Sequence, residues 1–298
     1  MKPTAPKPDR LAVLAKIEEY ERLGGEYFFC DVEDDPPAPQ LRPEDVDYLY
    51  RGYGKKVRRF GAIGLRNALA PTILKQMFDL KIEGEEHLKN LTGGAVFTSN
   101  HFAPFENLCV REASRLVPGK HRFFCVIREG NYAMEGLFGF LLRNCDTLPL
   151  SSCLHTMANF NRAVTDYLKE GAHILIYPEQ AMWYRYRKPR PYRIGAYHIA
   201  AKSGVPVVPC FMTSVDREEL DGDGFPRRSY TLHVLPPIYP DADKSAKENA
   251  AWMRERNATL TRETYERVYG IPLTYGDGQE TGDDFTEEFS GAPKNVKK

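Results

Sequence analysis

The chain has 298 residues, 42% of them hydrophobic, and a formal net charge of +0. It is long enough to bury one large core or two small ones, and it carries no global field that would draw it to nucleic acid or to a lipid surface, so any such attraction must be local. The six cysteines (Cys30, Cys109, Cys125, Cys145, Cys153 and Cys210) include no C-x-x-C pair, and no secretory signal is evident. No apolar run approaches the roughly 18 residues of a membrane span. The expected place is therefore the reduced cytoplasm, with any lipid met peripherally at the inner face of the cell membrane.

Apolar positions Leu11, Val13, Leu14, Ile17, Tyr20 and Leu23 recur at near-helical spacing and stop at Gly24-Gly25, which predicts a helix over 9–23. The stretch from Cys30 to Pro39 is acidic and rich in proline. It is expected to be a solvated loop: it lacks the glycine that a tight calcium loop needs at its bend, and no metal site is assigned. Helix and loop together make an N-terminal segment, 1–54. From Lys55 to Lys81, the basic residues Lys55, Lys56, Arg58, Arg59, Arg66 and Lys75 are interleaved with Phe60, Ile63, Leu69, Leu74 and Met77. That pattern fits a helix lying in a membrane interface as well as one packed on a core. Pro71 predicts two short helices here rather than one.

Ala95 to Thr98 reads as a buried strand that stops at Asn100-His101, and Pro104 suits the first position of a helix over 106–116. On one continuous helix the offset between His101 and Glu106 would turn the two side chains roughly 140° apart. A turn between strand and helix folds them together. Glu106 would then lie in a first helical turn, where the macrodipole favours the carboxylate, and His101 would have one ring nitrogen held and the other free. Such a pair is a general base with its orienter.

Beyond it, strands are expected at His121 to Ile127, Thr147 to Leu150, His173 to Tyr177, Val205 to Met212 and Tyr230 to Leu235. Helices are expected at Asn131 to Arg143, Leu154 to Glu170 and Arg193 to Ser203. This alternation predicts an α/β domain over 55–240: a single mixed, mostly parallel sheet covered by helices on both faces, with amphipathic helices ahead of it. A C-terminal helix over 244–270 would dock within a segment 241–272, and 273–298 would be a disordered tail with little to bury.

Three stretches, taken together, resemble the glycerolipid acyltransferase family, whose best-known members are the 1-acylglycerol-3-phosphate acyltransferases. Asn100-His101, four residues and then Glu106 resembles its Asn-His-(four residues)-Asp motif, with glutamate for aspartate. Tyr177-Pro178-Glu179-Gln180 resembles its Phe-Pro-Glu-Gly motif. Val205-Pro206-Val207-Val208-Pro209, preceded by Arg193-Ile194-Gly195-Ala196, resembles its last valine-proline motif. The resemblance spans about 81–237 and implies transfer of a fatty acyl group from acyl-CoA or acyl carrier protein, with no other cofactor, to the free hydroxyl of a lysophospholipid at a membrane surface. It implies that His101 is the base and Glu106 its orienter, that Asn100 belongs to the substrate site, that Glu179 helps bind the acceptor and that Pro209 shapes the pocket wall.

Two departures stand out. The family's phosphate-binding arginine would fall near Leu150-Ser151-Ser152, where none stands, so Arg128 or the cluster Arg185, Arg187, Lys188, Arg190 and Arg193 would have to supply that charge. Gln180 replaces a glycine that would allow close backbone approach or a positive φ. These departures leave room for a different acceptor, or for an inactive lipid-binding protein on the same fold. Other chemistries fit less well. No second His or Cys stands at ligand spacing from His101, and no Gly-x-Ser-x-Gly elbow is present. Trp183 to Lys188 interleaves aromatic and basic residues as single-strand-binding surfaces do, but no nucleic-acid module accompanies it, and nucleic acid is not an expected partner. The other histidines (His87, His121, His155, His173, His198 and His233) are read as structural or surface residues.

Overall fold

Strands of four or so residues cannot stand alone, and the short apolar runs of this sequence become stable by pairing into one sheet whose two faces are both covered. The computed structural model describes residues 7–33 and 39–276, together with the backbone of 279–280. In chain order the elements are α1 (Pro8–Leu23), α2 (Tyr53–Ile73), β1 (Leu80–Glu83), β2 (Ala95–Thr98), α3 (Asn107–Ser114), β3 (Phe123–Ile127), α4 (Glu129–Ala133) and α5 (Gly136–Asn144). There follow β4 (Thr147–Pro149), α6 (Leu154–Lys169), β5 (His173–Ile176), α7 (Gly195–Ser203), β6 (Val207–Leu220), β7 (Pro226–Val234), α8 (Ala246–Tyr269), β8 (Thr274–Tyr275) and β9 (Gln279–Glu280).

The main sheet runs in the order β1-β7-β6-β2-β5-β3-β4, and of its pairings only that between β6 and β7 is antiparallel. The mixed, mostly parallel sheet expected from the sequence is thus the one observed. Alternation along β2 shows how both faces are used. Val96 joins Phe124, Ile174, Val207 and Phe211 under α6, α7 and α8, while Ala95 and Phe97 point the other way to Cys125, Leu175, Val208 and Val110 of α3. α8 opens with a capping box in which Ser245 and Glu248 satisfy each other's backbone N–H groups. Its Asn257 reaches into the sheet, donating to Thr98 Oγ1 at 2.7 Å and to the Tyr197 hydroxyl at 2.8 Å.

Several local expectations need correction. α2 is one helix with Pro71 inside it, continued by a π-helical turn at Leu74–Phe78. A proline near the C-terminal end forfeits one rung only, and the Leu74 N–H still finds the carbonyls of Ala70 and Pro71. The helix expected over 131–143 is two, α4 and α5, because Glu135 is extended and Gly136 takes a φ of 68°. β6 runs on to Leu220 because residues 215–219, exposed and mostly polar, are held by the hairpin with β7, which periodicity of apolar residues does not register. β1, hidden in the basic amphipathic stretch, pairs with β7 from Leu80↔Tyr230 to Glu83↔His233.

The N-terminal segment is not a separate appendage. Ile17, Phe28, Val32, Leu41, Val46, Tyr48 and Tyr50 all belong to the main core. The chain wraps over the loops that leave the C-terminal ends of β5, β3 and β4. Phe28 O accepts from Arg190 (2.8 Å), Cys30 O from Trp183 Nε1 (3.0 Å) and Leu41 O from Ser151 Oγ (2.7 Å), while Asp31 pairs with Arg128 (2.5 Å). The start of the expected disordered tail is ordered: Leu273 and Tyr275 are buried, Tyr275 edge-on to Phe28 with centroids 4.8 Å apart. Residues 277–278 and those from 281 onward in that tail, and the centre of the acidic loop at 34–38, lie outside the described residues.

Candidate active site

β2 lies in the middle of the sheet between β6 and β5, and its carboxyl end opens where the ligands of open α/β sheets bind. Past Thr98 the backbone ladder stops, and Asn100 continues it with its side chain: Nδ2 donates to Met212 O (3.0 Å) and Oδ1 accepts from Met212 N–H (2.8 Å). Asn100 is buried by this, so it anchors the turn to β6 and does not line a pocket. His101 is then held through its backbone. Its N–H donates to Glu179 Oε2 (3.1 Å) and its carbonyl accepts from the Trp183 N–H (3.0 Å).

The turn from Phe102 to Glu106 folds the carboxylate back. Phe105 takes a φ of 68°, Pro104 sits in the turn, and Glu106 immediately precedes α3. The expectation that Pro104 begins the helix and that Glu106 lies in its first turn is therefore corrected. Two N–H groups of the turn do what the helix dipole was expected to do: Phe102 N–H (3.1 Å) and Ala103 N–H both donate to Glu106 Oε2. Glu106 Oε1 meets His101 Nδ1 in a close hydrogen bond. The carboxylate is 1% exposed and the His101 side chain 25%, so the ring edge carrying Nε2 is the accessible part of the pair. This is the geometry of a base with its orienter.

Under and beside this pair lie residues whose roles the sequence did not separate. The His101 ring stacks on Tyr177, centroids 4.1 Å apart and planes 13° off parallel. Burial pushes the Tyr177 phenol well up, and the nearby Glu106 charge adds to that. Glu179 is buried, and its carboxylate is occupied within the fold: Arg190 donates its backbone N–H (2.9 Å) and its guanidinium (2.9 Å). The Arg190 side chain is fully buried, and its guanidinium carbon lies over Trp183, 4.5 Å from the ring centroid. Sequence reading placed Arg190 among cations for a phosphate and missed Tyr177 as a site residue. The one available signal for Tyr177 was its hydroxyl in a motif position where the resembling family has phenylalanine.

The remaining expected site residues are distributed around this network. Gln180 does take the positive φ, 68°, in place of a glycine. Its Oε1 accepts from Arg193 (3.2 Å), which also pairs with Glu26 (2.5 Å) and covers the Phe29 ring. Arg128 turns to Asp31 in the N-terminal wrap. Pro209 is buried within β6 opposite Thr98, part of the sheet beneath the site. The basic cluster considered as a replacement phosphate site is neutralised internally: Arg185 pairs with Asp221 (2.8 Å), Arg187 with Asp216 (2.7 Å) and Lys188 with Glu21 (2.5 Å). Trp183 is buried, so the aromatic and basic stretch is no stacking surface for bases. At the place of the absent arginine, Ser151 and Ser152 are bonded to Leu41 O and to the Gln40 amide.

The sequence model of the Acyltransferase family matches residues 79–213. Among curated proteins, none matches the sequence significantly. The fold is similar to that of the 1-acyl-sn-glycerophosphate (LPA) acyltransferase PlsC from Thermotoga maritima, with a TM-score of 0.51 and 17% identity over 76% of this chain and 87% of that one. At that identity the likeness is one of fold. The family match covers residues 79–213, the segment that carries His101 and Glu106.

Proposed function

We propose that this acyltransferase moves a fatty acyl group from acyl-CoA or acyl carrier protein to the free hydroxyl of a lysophospholipid, with 1-acylglycerol-3-phosphate, which would give phosphatidic acid, as the first acceptor to test. The observation that carries the proposal is the buried Glu106 carboxylate on His101 Nδ1, which leaves Nε2 as the accessible nitrogen. In the proposed reaction Nε2 takes the acceptor's hydroxyl proton as that oxygen attacks the thioester carbonyl carbon. The tetrahedral adduct collapses with loss of the thiolate, which recovers the proton from the imidazolium. Glu106 keeps the tautomer correct and balances the transient positive charge. No cofactor beyond the acyl donor enters this scheme.

A peripheral membrane position at the cytoplasmic face is part of the same proposal. No helix among the described residues is long and apolar enough to cross a membrane. α2 instead turns a stripe outward: Tyr53 is 83% exposed and Phe60 82%, with Val57 between them and Lys56 and Arg58 alongside. α2 packs on α5, whose Leu137 is 62% exposed. Phe138 of α5 meets Phe105 of the active-site turn edge-on at 5.5 Å, so this apolar surface is continuous with the turn that holds Glu106. In the proposal that surface rests among acyl chains and delivers them to His101.

The test is transfer of labelled acyl groups from each donor onto a panel of lysophospholipids, with liposomes present, by the protein and by its His101→Ala variant. Loss of the base is expected to lower turnover about a hundredfold to ten-thousandfold. Unimpaired turnover in the variant would end the assignment of His101. No transfer from any donor, with liposome binding intact, would favour an inactive lipid-binding protein.

A further inference from the structure

We propose that Tyr177 is a positioning residue for the His101–Glu106 pair: its ring fixes the plane of the imidazole, and its hydroxyl donates to the Glu106 carboxylate. This rests on the reading of His101 as the base. Tyr177 directly follows β5, the strand beside β2, and lies against the face of the imidazole at 4.1 Å with planes 13° apart. Nδ1 is already tied to Glu106, so the ring has one large freedom left, rotation of Nε2 out of the cleft. A parallel aromatic face removes it.

The hydroxyl supplies the second part of the argument. It is buried, and it has no hydrogen-bond partner within ordinary distance and angle limits. Orphaned buried hydroxyls are uncommon and call for a reason. The groups that act on this phenol through space are Glu106, Cys125 of β3 and Cys109 of α3. Burial pushes both thiols up, that of Cys125 to about 12, so both stay protonated and are poor acceptors. Glu106 is the one strong acceptor among the three. The phenol itself is pushed well above its ordinary value, so it remains a donor wherever an enzyme would work.

A small tilt of the ring would complete the bond, and its effect on the chemistry follows. Glu106 already accepts from Phe102, Ala103 and His101. A further donor makes the carboxylate less basic, so a proton taken from the acceptor hydroxyl leaves the imidazolium with both of its protons instead of passing one to Glu106. The other charged or titratable neighbours are the closed Glu179–Arg190 pair beneath the His101 backbone and Tyr230 of β7, whose phenol burial also pushes up. Tyr230 stacks on Phe102 and not on the imidazole.

Two measurements on the full chain decide the matter: pH profiles of acyl transfer and NMR titration of the histidine rings in labelled protein. Tyr177→Phe keeps the stack and removes the hydroxyl. It is expected to lower kcat about 2- to 10-fold with KM little changed. Relieved of one donor, the carboxylate holds the imidazolium more tightly, so the acid limb of the rate profile and the midpoint of the His101 titration both move up by about half a pH unit. Tyr177→Leu, which also removes the stack, is expected to lose more. A Tyr177→Phe protein with the wild-type His101 titration and wild-type kcat overturns the proposal. An active His101→Ala variant overturns the reading of the base instead. If no acceptor is found, the ring titration still decides on Tyr177.

Discussion

His101 is restrained from three directions: through its N–H by Glu179, through Nδ1 by Glu106 and across its face by Tyr177. A base that must meet a hydroxyl in one orientation gains from such restraint, because misplacement by an ångström costs rate. Two carboxylates share the work, and their surroundings divide it. Glu106 faces the imidazole, whereas Glu179 is engaged with Arg190 under the turn, where the resemblance alone implied contact with the acceptor. Glu179→Gln is therefore expected to act on stability. It leaves the fully buried Arg190 guanidinium without a counter-charge, which costs about 3–5 kcal/mol. A fall in Tm on the order of 10 °C should follow, and the double variant Glu179→Gln/Arg190→Met should recover part of it. Calorimetry checks this. A Glu179→Gln protein that melts like wild type and has lost only acceptor binding would return Glu179 to the substrate.

At the scale of elements, the site depends on where β2 is set. Gly94 precedes that strand, and a Cβ there would lie 2.1 Å from the Leu168 carbonyl oxygen at the end of α6. Both partners are backbone, so relief requires β2 or α6 to shift. Gly94→Ala is expected to destabilise the protein by about 1–3 kcal/mol in chemical denaturation. Turnover per folded molecule should fall as well, since β2 carries the turn that holds His101. Unchanged stability and turnover would mean that the two elements slide without consequence. α2 follows a different logic: Arg59 turns inward to Asp146 at 2.7 Å while Tyr53, Val57 and Phe60 face out. A helix that turns a cation inward and exposes aromatic residues is not arranged for water on that side.

For the whole molecule, that exposed stripe with Lys56 and Arg58 is a local basic and apolar surface on a chain of formal net charge +0. Phe60→Asp removes a large exposed ring and adds a like charge toward anionic headgroups, and it touches nothing in the core. It is expected to weaken flotation with anionic liposomes about tenfold or more. Melting temperature should be unaffected, and so should acyl transfer to acceptors presented in detergent micelles. Equal liposome binding by both proteins would assign the stripe to another role.

The pairing of His101 with Glu106 was legible in the sequence because the motif is local: a buried run of four residues ends at Asn100-His101, and Glu106 follows within one turn. The mixed, mostly parallel sheet was legible for the same reason, since strand and helix alternate with their own periods. Both follow from near neighbours in the chain. What decided the roles of the other polar residues came from far away in sequence. Arg190 belongs to Glu179 and the Phe28 carbonyl, Arg193 to Glu26, and Arg128 to Asp31, because the N-terminal segment crosses the ends of the strands. A charge read alone can serve a ligand or a partner within the fold, and only packing assigns it. Tyr177 is the same case in reverse: one hydroxyl that any surface would tolerate, made consequential by being buried on the face of a histidine 76 positions before it in the chain.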